Sequence, residues 1–173
     1  MFFALVPDAG VRAQLAPVAR EWALQTHGRP TAPDSIHLTL AFVGAVPSQR
    51  VAALVAIGVA IPRAGFDLAL DTVGDFPRAG VAWIAPSQSP RLLVALQTTI
   101  ANALVDRAFP VDARPFQPHV TLARQCTSAL ATTTIAPIRW RVARLALVAS
   151  TLDRAGARYR ELAGWTLDTP AAT

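Results

Sequence analysis

The chain has no lysine: all sixteen basic residues are arginine, against eleven acidic ones, for a formal net charge of +5. A nucleotidyl-lysine intermediate, a Schiff base and every other lysine-based covalent step are therefore excluded. Cysteine is nearly absent too. The single thiol, Cys126, rules out an internal disulfide and a cysteine-rich metal site. Charged residues are sparse at 16 %, while 53 % of the chain is hydrophobic, so a well-filled core is expected. No apolar run is long enough to span a bilayer, the longest being residues 51–61. The first six residues are apolar, but they lack a basic leader and meet Pro7 and Asp8 at once, which reads against a signal peptide. A monomeric cytoplasmic protein with no membrane partner is the expectation.

Codon bias towards arginine and alanine is the simplest cause of the missing lysine, yet the physical consequence holds whatever the cause. A guanidinium grips phosphate through a planar fork of donors and stacks on aromatic faces. A basic arginine surface suits an anionic partner such as nucleic acid.

The chain divides into short elements. Residues 1–6 read as a buried strand. Residues 8–27 carry helical spacing at Val11, Leu15, Val18 and Trp22, with a kink or restart expected at Pro17. A proline-bearing loop over 28–34 leads to a strand over 35–43, and Pro47-Ser48 opens a helix ending near Ile61. Residues 66–73 and 80–85 form a strand pair around the expected turn Gly74-Asp75-Phe76-Pro77. Ser89 is the expected cap of a helix with Pro90 at its first position, running to Arg107. A second proline-bearing loop, 110–118, leads to a strand over 119–124. Residues 127–137 are weakly specified, and 138–150 and 158–167 read as closing strands joined across Asp153-Arg154-Ala155-Gly156.

Two of these strands say the same thing. Ser35-Ile36-His37-Leu38-Thr39-Leu40 and Pro118-His119-Val120-Thr121-Leu122-Ala123 each hold histidine, an apolar residue, threonine and another apolar residue. Alternation along a strand puts the imidazole and the hydroxyl on one face, with the aliphatic pair behind. A lone His-x-Thr is ordinarily a half-buried imidazole beside a good strand former. Here two of only three histidines occupy matching positions, 82 residues apart, each after a helix and a proline-bearing loop. The order implies an internal duplication: one bilobal α+β domain over residues 1–173, each lobe giving a motif strand to a shared cleft. Imidazole titrates near neutral pH, so the pair supplies an acid, a base and two hydroxyl donors, an inventory for attacking a phosphodiester.

The stretches His37-Leu38-Thr39-Leu40-Ala41-Phe42-Val43-Gly44 and Arg114-Pro115-Phe116-Gln117-Pro118-His119-Val120-Thr121-Leu122-Ala123-Arg124 resemble the two-histidine phosphoesterases, specifically the LigT-like RNA 2′,3′-cyclic phosphodiesterase (2′-5′ RNA ligase) family. Phe2-Phe3-Ala4-Leu5, Tyr159-Arg160-Glu161-Leu162 and Trp165-Thr166-Leu167 fit the same pattern, while the basic residue common before the Phe-Phe segment is absent. The resemblance implies a bilobal α+β fold, with two pseudo-symmetric antiparallel sheets lining a cleft and helices outside. It implies a hydrolase that needs no metal or other cofactor. Its partner would be RNA ending in a 2′,3′-cyclic phosphate, or a related nucleotide, with a 2′-phosphomonoester as product and 2′-5′ ligation as the reverse reaction. By similarity His119 is the base that activates water and His37 the acid for the 3′-oxygen, although the two motifs are near-equivalent on sequence alone. Thr39 and Thr121 would donate to phosphate oxygens. Arg124 would neighbour the phosphate, although strict alternation puts it on the face opposite His119 and Thr121 unless a bulge redirects it. Phe3 and Phe42 are candidate stacking platforms for a base, core packing being the ordinary role of each. Trp83, Trp140 and Trp165 read as core, Tyr159 as a rim residue, and His27 and Cys126 carry no chemistry.

Other classes fit less well. A zinc hydrolase wants a third protein ligand, and only Asp34 lies near a motif. No Gly-x-Ser-x-Gly elbow or Cys/His signature is present. A nucleotide- or RNA-binding module without turnover, and a phosphodiesterase for 2′-5′ oligonucleotides or ADP-ribose cyclic phosphate, remain as alternatives.

Overall fold

The computed structural model describes residues 1–153 and 156–168. Among these, the strands are β1 (Phe2–Leu5), β2 (Arg29–Pro30), β3 (Leu38–Phe42), β4 (Phe66–Phe76), β5 (Val81–Ala85), β6 (Val120–Arg124), β7 (Thr133–Val142), β8 (Arg144–Asp153) and β9 (Gly156–Thr166). The helices are α1 (Ala9–Gln25), α2 (Val51–Ala60) and α3 (Arg91–Val105). The strands join in one antiparallel sheet ordered β7-β4-β5-β6-β3-β1-β8-β9, with the short β2 also paired to β6. The fold is α+β, as expected.

The sheet falls into two halves of four strands, β7-β4-β5-β6 and β3-β1-β8-β9. They meet at one residue pair, Leu38 with Val120. Beyond that pair the motif strands part, and β2 takes up the vacated edge of β6 with Arg29 opposite Arg124 and Pro30 opposite Ala123. Each half contains the unit strand–helix–motif strand: β1-α1-β3 in one, β5-α3-β6 in the other. The helices are exchanged, α1 packing on β6 and α3 on β3, which ties the halves together. Leu38, Val120, Leu122, Leu15, Leu93 and Ile100 are all fully buried in one apolar cluster between sheet and helices. Burying each such side chain is worth about 1.5–3 kcal/mol.

Local sequence explains most of the elements. Asp8 caps α1, its Oδ1 accepting from the Val11 N–H at 2.9 Å, a bond worth about 1 kcal/mol. Pro17 does not restart this helix, which stays helical from Ala9 to Gln25. Its buried residues Val11, Leu15, Ala19, Trp22 and Ala23 hold the chain helical through the lost hydrogen bond. Three further expectations are corrected. Gly74, Asp75 and Phe76 belong to β4, and the turn is Pro77–Ala79 with Gly80 at φ +59°. Gly74 suits the strand because the Trp83 ring lies over it, leaving no room for a Cβ. Pro90, not Ser89, is the cap residue of α3, and no side chain caps it. Residues 138–150 are not one strand. The chain changes sheet edge at Ala143, β7 pairing with β4 and β8 with β1 and β9. The expected turn between the last two strands includes residues 154 and 155, outside the described residues.

Gly58 of α2 faces Trp165 of β9, and a Cβ there would come within 2.1 Å of the indole. Gly58→Ala is therefore expected to cost about 1–3 kcal/mol through overpacking, outweighing its gain in helix propensity. The midpoint of urea unfolding measures this; an unchanged or higher midpoint would refute the close packing.

Candidate active site

The seam pair sets the geometry of the cleft. Antiparallel register around Leu38 and Val120 carries His37 towards Thr121 and Thr39 towards His119, giving a two-by-two set of imidazoles and hydroxyls. All four side chains are half-buried, while Leu38, Leu40, Val120 and Leu122 are sealed in the core behind them.

Both histidines are anchored in the same way. His37 Nδ1 lies 2.7 Å from the Ser35 carbonyl oxygen, and His119 Nδ1 lies 2.8 Å from that of Gln117. A carbonyl only accepts, so Nδ1 carries the proton in each ring and Nε2 is left free to take or give one. Aromatic side chains steady the rings. Phe2 stacks on His37 at 4.9 Å and Tyr159 meets it edge-on at 5.1 Å, while Phe76 meets His119 edge-on at 5.0 Å.

Burial pushes both imidazoles below their ordinary pKa. The carbonyl bonds oppose this, and the positive charge of Arg124 adds to it at both rings. His37 also feels His119. Arg124 is thus the charge common to both rings.

Arg124 is where strict alternation fails. In the pairing of β5 with β6, Ala82 faces Ala123 and Trp83 faces Thr121, leaving Leu122 as the extra residue of a bulge. Paired residues share a face, so the bulge turns Leu122 and Ala123 both to the core and returns Arg124 to the face of Thr121. The other half has the same bulge. Phe3 faces Ala41 and Ala4 faces Thr39, so Leu40 is extra and Phe42 comes round to the face of Thr39. Phe42 is 58 % exposed and lines the cleft.

Phe3 must be removed from the set. It points to the opposite face, is fully buried and stacks on Trp165 at 6.2 Å. The ring beside the site is Phe2, one residue earlier; only the register of β1 against β3 shows which of the adjacent phenylalanines faces the cleft. Trp83 is likewise not in the core but half-buried on the cleft side, 5.6 Å from Phe76, whereas Trp140 is core.

A cavity of about 760 Å³ opens beside His119 and Thr39. Phe42, Phe76, Phe116 and Gln97 are among its walls, and its loop side carries Arg114, which is bound to Asp112 through its backbone N–H, Nε and Nη2. That pairing holds the Asp112 carboxyl down at about 2. Phe76, Gln97 and Phe116 escaped the sequence reading because they come from three separate segments with no shared spacing. Asp34 sits away from the site, its side chain 98 % exposed and paired with Arg12 at 3.4 Å. Among the described residues no group of three or more His, Cys, Asp or Glu side chains is arranged to hold a metal ion. No helix among them is long and apolar enough to cross a membrane.

Two anchored imidazoles, each beside a threonine and both within reach of one guanidinium's charge, thus line one cleft of an antiparallel α+β fold. The comparisons with known proteins give the family. The model of the 2′-5′ RNA ligase superfamily matches residues 9–154, and the chain belongs to that family. It is similar to the RNA 2′,3′-cyclic phosphodiesterase of Escherichia coli K12, with 34 % identity over 96 % of each chain. It is also similar to the RNA 2′,3′-cyclic phosphodiesterase of Thermus thermophilus, with 29 % identity over 96 % of this chain and 89 % of that one. Among solved structures, E. coli LigT complexed with 3′-AMP superimposes with a TM-score of 0.84 at 33 % identity, covering 96 % of both chains.

NMR titration tests the electrostatics. The ring protons of His37 and His119 are expected to titrate below 6.5, and both midpoints to rise in Arg124→Gln, since a positive charge that disfavours the imidazolium is gone. Unmoved midpoints would place the guanidinium away from the rings.

Proposed function

We propose that the chain hydrolyses RNA 2′,3′-cyclic phosphate ends to 2′-phosphomonoesters, without a metal ion, using His37 and His119. The observation that carries this reading is the matched anchoring of two imidazoles through Nδ1, which leaves both Nε2 atoms available for proton transfer. Kinship with named cyclic phosphodiesterases supports the reaction class, and the division of roles follows the resemblance to the LigT-like family. His119 Nε2 takes a proton from water as its oxygen bonds to phosphorus. The bond from phosphorus to the 3′-oxygen breaks, and His37 Nε2 gives that oxygen its proton, so the phosphate stays on the 2′-oxygen. Thr39 and Thr121 donate to the non-bridging oxygens, and Arg124 balances their charge. The terminal base lies in the cavity beside His119 and stacks on Phe42. Run in the same direction with an RNA 5′-hydroxyl in place of water, the same steps make a 2′-5′ linkage. Both motifs come from one chain, so the protein works as a monomer.

The test is hydrolysis of a short RNA ending in a 2′,3′-cyclic phosphate, in EDTA, resolving 2′- from 3′-phosphate product. The expected product is the 2′-phosphate, with His37→Ala and His119→Ala each slowed about 10²–10⁴-fold. Because both imidazoles titrate below the ordinary value and one must be protonated, kcat/KM is expected to fall as pH rises above 6.5. No turnover by folded wild-type protein, or full activity in either histidine variant, would overturn the reading. Tight nucleotide binding without hydrolysis would favour a binding module instead.

A further inference from the structure

β2 is only two residues long, yet its placement is tightly set. Gly28 makes the approach possible, since a Cβ there would come within 2.9 Å of the Arg124 carbonyl oxygen and 2.8 Å of Cys126 Sγ. The Gly28 N–H donates to the Ala23 carbonyl at 2.8 Å, and the Thr31 N–H donates to the Leu122 carbonyl at 2.8 Å, fixing β2 at both ends. The register that results puts Arg29 directly opposite Arg124. Cross-strand partners share a face, and the bulge at Leu122 has already turned Arg124 to the cleft, so Arg29 lies on the cleft face beyond it.

Like charges directly opposite one another on adjacent strands are destabilising. Elsewhere in this protein a cross-strand arginine meets an acid: Arg141 of β7 pairs with Asp67 of β4 at 3.2 Å, directly opposite it. Arg29 and Arg124 have no such relief. Both are exposed, and neither makes an ion pair or a side-chain hydrogen bond among the described residues. Two unneutralised guanidinium forks side by side match the oxygens of a phosphate. Of the two guanidiniums, Arg124 acts on both imidazoles, and Arg29 stands beside it on the neighbouring strand.

We propose that Arg29 and Arg124 together form a second phosphate subsite, which holds the internucleotide phosphate preceding the terminal nucleotide and makes RNA chains better substrates than cyclic mononucleotides. The inference rests on the proposed phosphodiesterase reading. Its chemistry is that of the RNA backbone, so it adds affinity for length without sequence preference. The apolar cavity beyond Phe42 and the basic edge beyond Thr121 lie at opposite ends of the seam, one taking a base and the other the backbone.

The experiment compares wild type with Arg29→Gln on adenosine 2′,3′-cyclic monophosphate and on a pentanucleotide ending in a 2′,3′-cyclic phosphate. Arg29→Gln is expected to lower kcat/KM about tenfold for the pentanucleotide while leaving the mononucleotide unchanged. The slope of log kcat/KM against log salt should become shallower by about 0.7 for the pentanucleotide alone. Thermal unfolding separates this from a folding defect, since losing a repelling charge should leave the midpoint at low salt unchanged or higher. Equal losses on both substrates, or none on either, would overturn the second subsite while the hydrolysis itself stood. If wild type turns over neither substrate, the hydrolytic reading fails. Anisotropy with a labelled pentanucleotide ending in a 2′-phosphate then decides: weaker binding by Arg29→Gln supports the subsite, and equal or absent wild-type binding removes it.

Discussion

One backbone pair, Leu38 with Val120, sets the cleft between the two halves of the sheet. It is the only register contact between the motif strands, and it decides which hydroxyl stands beside which imidazole. A one-residue slip of β3 would turn His37 and Thr39 to the core and Leu38 and Leu40 to the cleft. What prevents the slip is burial: Leu38 and Val120 are fully covered, and the exchanged helices α1 and α3 press on the motif strand of the opposite half. The same economy opens the cleft. With no second pair to hold them, β3 and β6 diverge at once, and a space opens between them.

The two halves share a backbone plan and differ in what they place on it. Each motif strand bulges at the residue after its threonine, Leu40 or Leu122, and so brings round to the cleft a residue that plain alternation would bury. In one half that residue is Phe42 and in the other Arg124. A repeated backbone thus presents an aromatic ring at one end of the seam and a guanidinium at the other. That asymmetry gives a nucleotide, which is apolar at the base and anionic at the backbone, a direction in which to lie.

The sequence was most informative where period and chemistry coincided. His37, Thr39, His119 and Thr121 could be placed because alternation runs undisturbed from each histidine to its threonine. Spacing stops being readable at Leu40 and Leu122, where a bulge depends on the partner strand. Alternation alone puts Arg124 on the face opposite Thr121 and Phe42 on the face opposite Thr39, and only the resemblance named both as site residues. Phe2 and Phe3 are adjacent identical rings, and only pairing with Ala41 and Phe42 separates the one beside His37 from the one in the core. Pro17 suggested a break that tertiary burial overrides. The edge change at Ala143 left no local mark, because the residues on both sides of it are good strand formers.

The resting charge of the site follows from the same packing. Burial and Arg124 both favour neutral imidazoles in the empty cleft, so the acid of the proposed reaction is short of its proton before substrate arrives. A bound phosphodiester brings a negative charge among His37, His119 and Arg124. It cancels part of the guanidinium's effect and stabilises an imidazolium directly. In the proposed reaction such an anion would favour the imidazolium on one ring, the acid, while the other stays neutral as the base. In that reading the ring nearer the added charge takes the proton, which is how two motifs anchored alike would acquire distinct roles.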